Sequence, residues 1–299
     1  MAASHRLDHD KFLVPPGKKI RLADYDPAYT GGFKDKNEAE EALADDVDEL
    51  AAAQHLLWAS KQYGVIIIFQ ALDAAGKDST IKHVMSGVNP QGVTVHSFKA
   101  PTEAERMRHF LERPLRAMPA AGQIAIFNRS YYEEVLVVRV HPKFLAGQWL
   151  PRRVRDKDLD YLWHDRYSEI NEFESAARRN DYRILKFFLN VSKEEQKERF
   201  LARLTNPEKN WKFSAADVRE RCYWNDYQRA YEDMLNATST DAAPWYIIPA
   251  DKKWFMRACV ADIIIAEIQK LDLKYPTVSE EERESLEAAK RELEDEPDS

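Results

Sequence analysis

Hydrophobic and polar positions follow two rhythms along this chain. Short apolar runs rich in β-branched and aromatic residues occur at 65–69, 93–98, 123–127, 184–189 and 245–248. Runs of that length bounded by turn residues read as strands, and 65–69 as a fully buried one. Between them, apolar residues recur at helical spacing. The first helix is expected over 37–62, with Leu43, Val47, Leu50, Ala53, Leu57 and Ser60 on one face and Gly64 as its stop. Others follow Lys77 (Ile81, Val84, Met85), run from a Thr102–Glu105 capping box to about Arg113, and carry Leu159, Leu162, Trp163, Ile170, Phe173 and Ala177. Further helices begin at the Ser192–Glu195 cap, run from about Ala215 to Leu235, and extend from Asp251 through Ile268. Strands alternating with helices predict an α/β fold, a parallel five-stranded sheet covered by helices on both faces. Residues 1–35 read as a surface arm, 36–275 as one domain with an excursion at 141–157, and 276–299 as a charged helix or tail.

Composition narrows the class. The 299 residues are 44% hydrophobic and 32% charged, an ordinary globular mix. No stretch approaches the ~18 apolar residues of a membrane span, and the first residues lack the apolar core of a signal peptide. The two cysteines, Cys222 and Cys259, show no metal spacing and predict a reduced, cytoplasmic protein. A net charge of −7 argues against a general nucleic-acid binder. It leaves room for another polyanion, because a groove on an acidic protein can be locally positive.

The densest chemistry lies between Val65 and Thr80. A buried strand runs through small residues into Gly76-Lys77 and then a helix, which is the layout of a phosphate-binding loop. The fit to G-x-x-x-x-G-K-[ST] is partial. Ala71 replaces the first glycine and Asp78 the hydroxyl residue, with Ser79 and Thr80 arriving late. A bare Gly-Lys would favour a tight turn with a solvated lysine; the flanking strand and helix shift the balance to phosphate. Ala74, Ala75, Gly76, Lys77, Asp78, Ser79 and Lys82 are candidate phosphate contacts, and Asp73 is a candidate metal contact.

Two more strand ends carry polar residues, Asn128-Arg129 and 249–251, and ligands of open α/β sheets bind at such ends. Arg129 suits bidentate phosphate contact. Glu133 reads equally as a site residue or as the capping partner of Ser130. The segment 199–219 gathers Arg203, Lys209, Lys212 and Arg219 around Trp211. It is either a solvated charged turn or a mobile lid, and Pro207 with that density of cations favours the lid.

The blocks Ala71-Leu72-Asp73-Ala74-Ala75-Gly76-Lys77-Asp78-Ser79-Thr80, Asn128-Arg129-Ser130-Tyr131-Tyr132-Glu133 and Asn206-Pro207-Glu208-Lys209-Asn210-Trp211-Lys212-Phe213-Ser214 together resemble the second family of polyphosphate kinases. Gly87-Val88-Asn89-Pro90-Gln91-Gly92 and Ser97-Phe98-Lys99-Ala100-Pro101 are similar too, so the resemblance runs from about residue 15 to 275. It implies a thymidylate-kinase-like P-loop fold and Mg²⁺-dependent phosphoryl transfer between inorganic polyphosphate and nucleotides. It also implies Asp73 at the metal, Lys77 on phosphate, Arg129 at the transfer point, and Arg203, Lys209 and Lys212 in the lid; Glu133, nearby, is a further candidate metal contact. Many members have Asp at the position of Asn128, and the Asn-Arg-Ser-x-Tyr-Glu variant resembles the subgroup that accepts both AMP and ADP. The expected products are ADP and ATP, with the reverse reaction open to the same site, in a homodimer or homotetramer. Two rival readings are an ATP-using nucleoside monophosphate kinase and a non-catalytic polyanion binder. Asp73 beside Lys77 argues against the binder. The attacking nucleotide phosphate is already deprotonated near neutral pH, so no general base is needed, and charge stabilisation must bring two anions together.

Overall fold

The computed structural model describes residues 6–155 and 159–296. In chain order the elements are α1 (Lys36–Ser60), β1 (Gly64–Gln70), α2 (Lys77–Val84), β2 (Val93–Ser97), α3 (Glu103–Arg106), α4 (Glu112–Arg116) and β3 (Ile124–Asn128). They continue with α5 (Val137–Val140), α6 (Arg152–Arg155), α7 (Leu159–Arg179), β4 (Tyr182–Asn190), α8 (Lys193–Thr205), α9 (Ala215–Glu220), α10 (Trp224–Thr238), β5 (Trp245–Pro249), α11 (Lys253–Gln269) and α12 (Glu280–Glu294).

The five strands are all parallel, in the order β2-β3-β1-β4-β5. β1 is central and buried along its whole length. Its unbroken apolar run follows from burial on both faces. Ile66 and Ile68 enter one core with Phe127, Phe188 and Trp245, while Val65, Ile67 and Phe69 enter the other with Leu57, Phe187 and Phe255. α11 lies between the sheet and α1, which explains why it is buried almost all round, from Phe255 to Ile268. One charged pair sits inside the first core. The Lys186 ammonium of β4 donates to Glu174 Oε2 (2.6 Å), Tyr132 Oη (2.9 Å) and the Thr238 carbonyl (2.7 Å), and Glu174 Oε1 accepts from both Tyr131 and Tyr132. Every donor of the ammonium is thus satisfied, as a buried charge requires.

Several elements depart from the sequence reading. Residues of the 1–35 arm are built into the core: Leu7, Phe12, Val14 and Leu22 are buried, and Val14 N donates to the Trp245 carbonyl beside a Leu13–Tyr246 antiparallel bridge. The arm therefore covers the open edge of β5. α1 ends at Lys61 in the left-handed conformation, and Gly64 already belongs to β1. Its buried face is Ala39, Ala42, Asp46, Leu50, Gln54 and Leu57, rotated from the predicted stripe because it packs on α11. The helix expected to reach Arg113 is split into α3 and α4, although the Thr102–Glu105 capping box forms. The helix expected over 215–235 is broken by a 3₁₀ turn at Arg221–Tyr223. α12 opens on the Ser279–Glu282 capping box and buries no residue. Among the described residues, no helix is long and apolar enough to cross a membrane.

Candidate active site

The strand order brings the polar strand ends together. β1 lies between β3 and β4, with Phe69 opposite Asn128 in register, so the loop after β1 and the Asn128-Arg129 turn are neighbours. Arg129 N donates to the Phe69 carbonyl (3.1 Å) and ties the two ends directly.

The loop itself has the local geometry of a phosphate cradle. Gly76 caps α2 at φ 117°, outside the range that L residues accept, and a Cβ there would also meet Met256 Cε at 2.9 Å. This explains the glycine. Ala74 stands at φ 63° and Arg129 at φ 62°, two left-handed residues facing the same site. Such strain costs about 1 kcal/mol or more per residue and gathers at functional sites. Lys77 is the first residue of α2 and is buried, its ammonium donating to the carbonyls of Ala71 (2.7 Å) and Leu72 (3.4 Å). Burial pulls its pKa down, and the Asp73 carboxylate opposes that pull. Ser79 and Thr80 both donate to the Gly76 carbonyl, and Lys82 lies exposed at the end of α2.

Carboxylates and guanidinium interlock above the loop. Arg129 Nη2 donates to Asp73 Oδ1 at 2.7 Å. Glu133 stands on the 3₁₀ turn Tyr131–Glu134 that Ser130 caps. The Gln70 amide, oriented to satisfy both ends, donates to Glu133 Oε1 (2.9 Å) and accepts from Ser130 N (3.2 Å). Burial raises the Glu133 pKa, while Arg129 and Lys77 lower it. Glu133 in turn, followed by Asp73, holds the Arg129 guanidinium in its charged form. Both readings of Glu133 narrow here: Ser130 caps through Tyr132 N, and the Glu133 side chain points its charge toward the cations of the site. Asn128 Nδ2 donates to Asp78 Oδ1 at 2.7 Å. Asp78, which stands where the loop pattern has a hydroxyl residue, is thus bonded to Asn128, which stands where many family members have Asp.

The cationic segment is an arch of short turns. Asn206 caps the 3₁₀ turn Pro207–Lys212 and Ser214 caps α9. Arg203 faces Asp217 across 3.7 Å, and Lys209 is exposed. The Lys212 side chain lies outside the described residues. Burial raises the Asp217 pKa and the Asp73 carboxylate adds to the rise, while Arg203 and Arg129 oppose it, so the arch stands within electrostatic reach of the loop. Its far end is held where Glu220 Oε2 meets His141 Nε2 (2.8 Å) and Tyr227 Oη (2.9 Å).

Some site residues escaped the sequence reading. Gln196 and Arg199 of α8 bond the loop carbonyls, and their only signal in sequence is a polar i, i+3 pair on an otherwise packed helix face. Lys253 and Arg257 of α11 stand near Arg199, and Lys253 also near Lys209, a gathering of cations that no linear motif announces. A cavity of 540 Å³ opens beyond Arg129 and Glu133, with Phe98, Phe110, Phe144 and Trp149 in its lining. Phe144 and Trp149 come from the 141–157 excursion, whose residues 156–157 lie outside the described residues; its described part is therefore a wall of the cavity.

A model of the family described as Polyphosphate kinase 2 matches residues 33–276. An ADP-polyphosphate phosphotransferase of Rhodopseudomonas palustris is 44% identical over 281 residues, 94% of this chain and 96% of that protein. An AMP/ADP-polyphosphate phosphotransferase of Meiothermus ruber is 44% identical over 267 residues, 89% of this chain and 95% of that protein. Among solved structures, polyphosphate kinase 2 from Arthrobacter aurescens TC1 superposes with a TM-score of 0.82 at 37% identity, covering 94% of each chain. A strained phosphate loop facing a paired arginine, on a fold shared along nearly the whole chain, leaves one assignment: this protein is a member of the polyphosphate kinase 2 family.

Proposed function

We propose that the enzyme transfers a phosphoryl group from inorganic polyphosphate to ADP and to AMP, giving ATP and ADP, and that the same site runs the reverse transfer. The relatives named for these acceptors support the reading. The observation that carries it is the 540 Å³ cavity that reaches Arg129 and Glu133, where Arg129 in turn bonds Asp73 of the phosphate loop. The aromatic lining suits a nucleoside, whose phosphate would reach Arg129, while the donor chain lies along the loop.

The residues then divide the work. Loop amides and the N-terminus of α2 hold donor oxygens. Lys77 adds a full charge, and the guanidinium of Arg129 spans the transferring group and stabilises charge that develops there. Lys209, Lys253 and Arg257 offer a positive path for the rest of the chain. Asp73, Asp78 and Glu133 supply hard oxygen donors, which suit Mg²⁺ better than any softer ion. Among the described residues no group of three or more His, Cys, Asp or Glu is gathered to hold an ion. That agrees with a cation held by one or two carboxylates and by substrate phosphates, as Mg²⁺ usually is. When bound, Mg²⁺ would supply charge neutralisation across the donor phosphates; Asp73 and Glu133 would hold it. Its reduced cysteines and charge balance fit a cytoplasmic enzyme, and we expect a homodimer or homotetramer.

The deciding assay combines purified protein, Mg²⁺ and AMP or ADP with either long-chain polyphosphate or ATP as donor, and separates products by chromatography. Polyphosphate should serve with both acceptors, and Lys77→Ala should set the background, with thermal melting showing that the fold survives the loss of this buried lysine. Turnover with ATP and AMP alone would make the protein a nucleoside monophosphate kinase instead. Binding of polyphosphate with no nucleotide formed would leave only a polyanion-binding role.

A further inference from the structure

Two side chains of α8 grip the phosphate loop from behind. Gln196 Nε2 donates to the Asp73 carbonyl at 2.8 Å. One turn on, Arg199 Nη1 donates to the carbonyls of Ala74 (3.1 Å) and Ala75 (2.5 Å). Its Nη2 donates to the carbonyls of Ala250 (2.6 Å) and Asp251 (3.1 Å), beyond the end of β5, and its Nε to Glu195 Oε1 (2.8 Å). Arg199 is 7% exposed, and every nitrogen of its guanidinium is engaged inside the protein. Gln196 is equally constrained: Arg221 Nη1 donates to its Oε1 at 2.6 Å, which leaves the amide NH₂ facing Asp73.

The consequence is directional. In a trans peptide the carbonyl of one residue and the N–H of the next point opposite ways. Holding the carbonyls of Asp73 and Ala75 against α8 turns the N–H groups of Ala74 and Gly76 away from it. The intervening Ala75 N–H closes the turn onto the Leu72 carbonyl at 3.3 Å. Amides aimed in this way form an anion-binding concavity. The left-handed Ala74 (φ 63°) shows that the loop would not rest in this shape unaided, since that conformation is unfavourable for alanine.

We infer that Gln196 and Arg199 are positioning residues for the donor. They hold the 73–75 carbonyls so that the loop amides meet polyphosphate in a ready-made cradle, and neither side chain touches substrate. The inference rests on the loop being the donor site.

The test separates donor effects from general damage. Gln196→Ala, Gln196→Glu, Arg199→Lys and Arg199→Met would be compared with wild type by thermal melting. Binding of inorganic tripolyphosphate would be followed by calorimetry, and KM measured for long-chain polyphosphate and for ADP separately. Losing one hydrogen bond that fixes the loop should weaken tripolyphosphate binding and raise the polyphosphate KM by about tenfold. The KM for ADP should stay within about twofold. Gln196→Glu keeps the shape but sets a carboxylate against the Asp73 carbonyl, so it should be at least as weak as Gln196→Ala. Arg199→Lys, with a cation but without the fork, should fall between wild type and Arg199→Met. Unchanged donor binding and donor KM in all four variants would overturn the inference. So would donor KM, ADP KM and melting temperature worsening together, since that marks a structural role only. Because tripolyphosphate binding is read without turnover, a wild-type protein that binds it but makes no nucleotide would refute the proposed reaction and still leave the brace to be judged.

Discussion

Arg129 is held in a left-handed conformation (φ 62°) by its own backbone bond to Phe69 and by the Asp73 carboxylate. The neighbouring Asn128 is equally constrained, and here one residue's charge has a calculable role. Its amide donates to Asp78, so the pair carries one negative charge where two carboxylates would carry two. An aspartate at 128 would face Asp78 at hydrogen-bonding distance, and like charges that close disfavour each other's ionised form. It would also repel an incoming phosphate. AMP has one phosphate fewer than ADP, so in the proposed reaction its phosphate would approach this pair more closely. Asn128→Asp is therefore expected to lower kcat/KM for AMP about tenfold or more relative to ADP. The ratio for the two acceptors, measured with polyphosphate as fixed donor, checks this; an unchanged ratio would remove Asn128 from acceptor choice.

At the scale of elements, the arch between α8 and α10 is the least packed part of the site. Its turns are short, two of them open on side-chain caps, Asn206 and Ser214, and Lys209 projects into solvent. A cation in that position works through long-range attraction, so its contribution should be screened by salt. Polyanion binding releases counterions, and the slope of log affinity against log salt follows the number of cations engaged. Lys209→Ala is expected to reduce that slope by about one and to weaken polyphosphate binding at low salt, with melting unchanged. A wild-type slope in the variant would mean that the arch does not meet the donor chain. The irregularity of this segment also explains its poor legibility. Its continuation was expected as one helix from 215 to 235, yet the Arg221–Tyr223 turn lets Arg221 reach back to Gln196 and Lys193.

Over the whole molecule, two buried ionisable sites couple stability to charge. The Lys186–Glu174 pair joins β4 to α7 and, through Tyr131 and Tyr132, to the turn that carries Glu133. Removing one partner leaves a buried charge unpaired, so Glu174→Ala should destabilise by about 3–5 kcal/mol. The double variant Glu174→Leu with Lys186→Met should recover much of this in a denaturant titration, because an apolar pair needs no partner. A double variant as unstable as the single one would contradict that account. On the opposite face, Asp46 of α1 is pushed up from 3.8 to about 7, first by burial and then by Asp262 of α11, with Arg6 opposing and Glu49 and Asp45 adding to the rise. Between those two values the folded chain keeps a proton that the unfolded chain has released. Stability from this group is thus fully present at low pH and is lost as pH rises through about 7. Asp46→Asn should raise the melting temperature at pH 8 and flatten its dependence between pH 5 and 8. Equal slopes for variant and wild type would rule Asp46 out as the source.

Local pattern was enough for the strands, the parallel sheet and the loop, because the apolar runs of β1, β3, β4 and β5 are buried, the edge strand β2 keeps β-branched residues although it is partly exposed, and Gly76-Lys77 sits between strand and helix. The block Asn128-Arg129 was visible as a strand end for the same reason. What pattern could not show was which strand ends meet: the pairing of Phe69 with Asn128 depends on β1 lying between β3 and β4, and that order is a property of the packed sheet. The arm at 1–35 looked peripheral because its apolar residues are scattered, yet Phe12 and Val14 close the β5 edge, a contact more than 200 residues distant in sequence. Phe144 and Trp149 become a wall of the cavity only when α7 folds back beside them. Gln196 and Arg199 gain their meaning from the carbonyls of Asp73, Ala74 and Ala75, and backbone carbonyls leave no trace in a sequence. Periodicity reports which face of an element is buried; what that face touches is settled by packing, where distant segments compete for the same space.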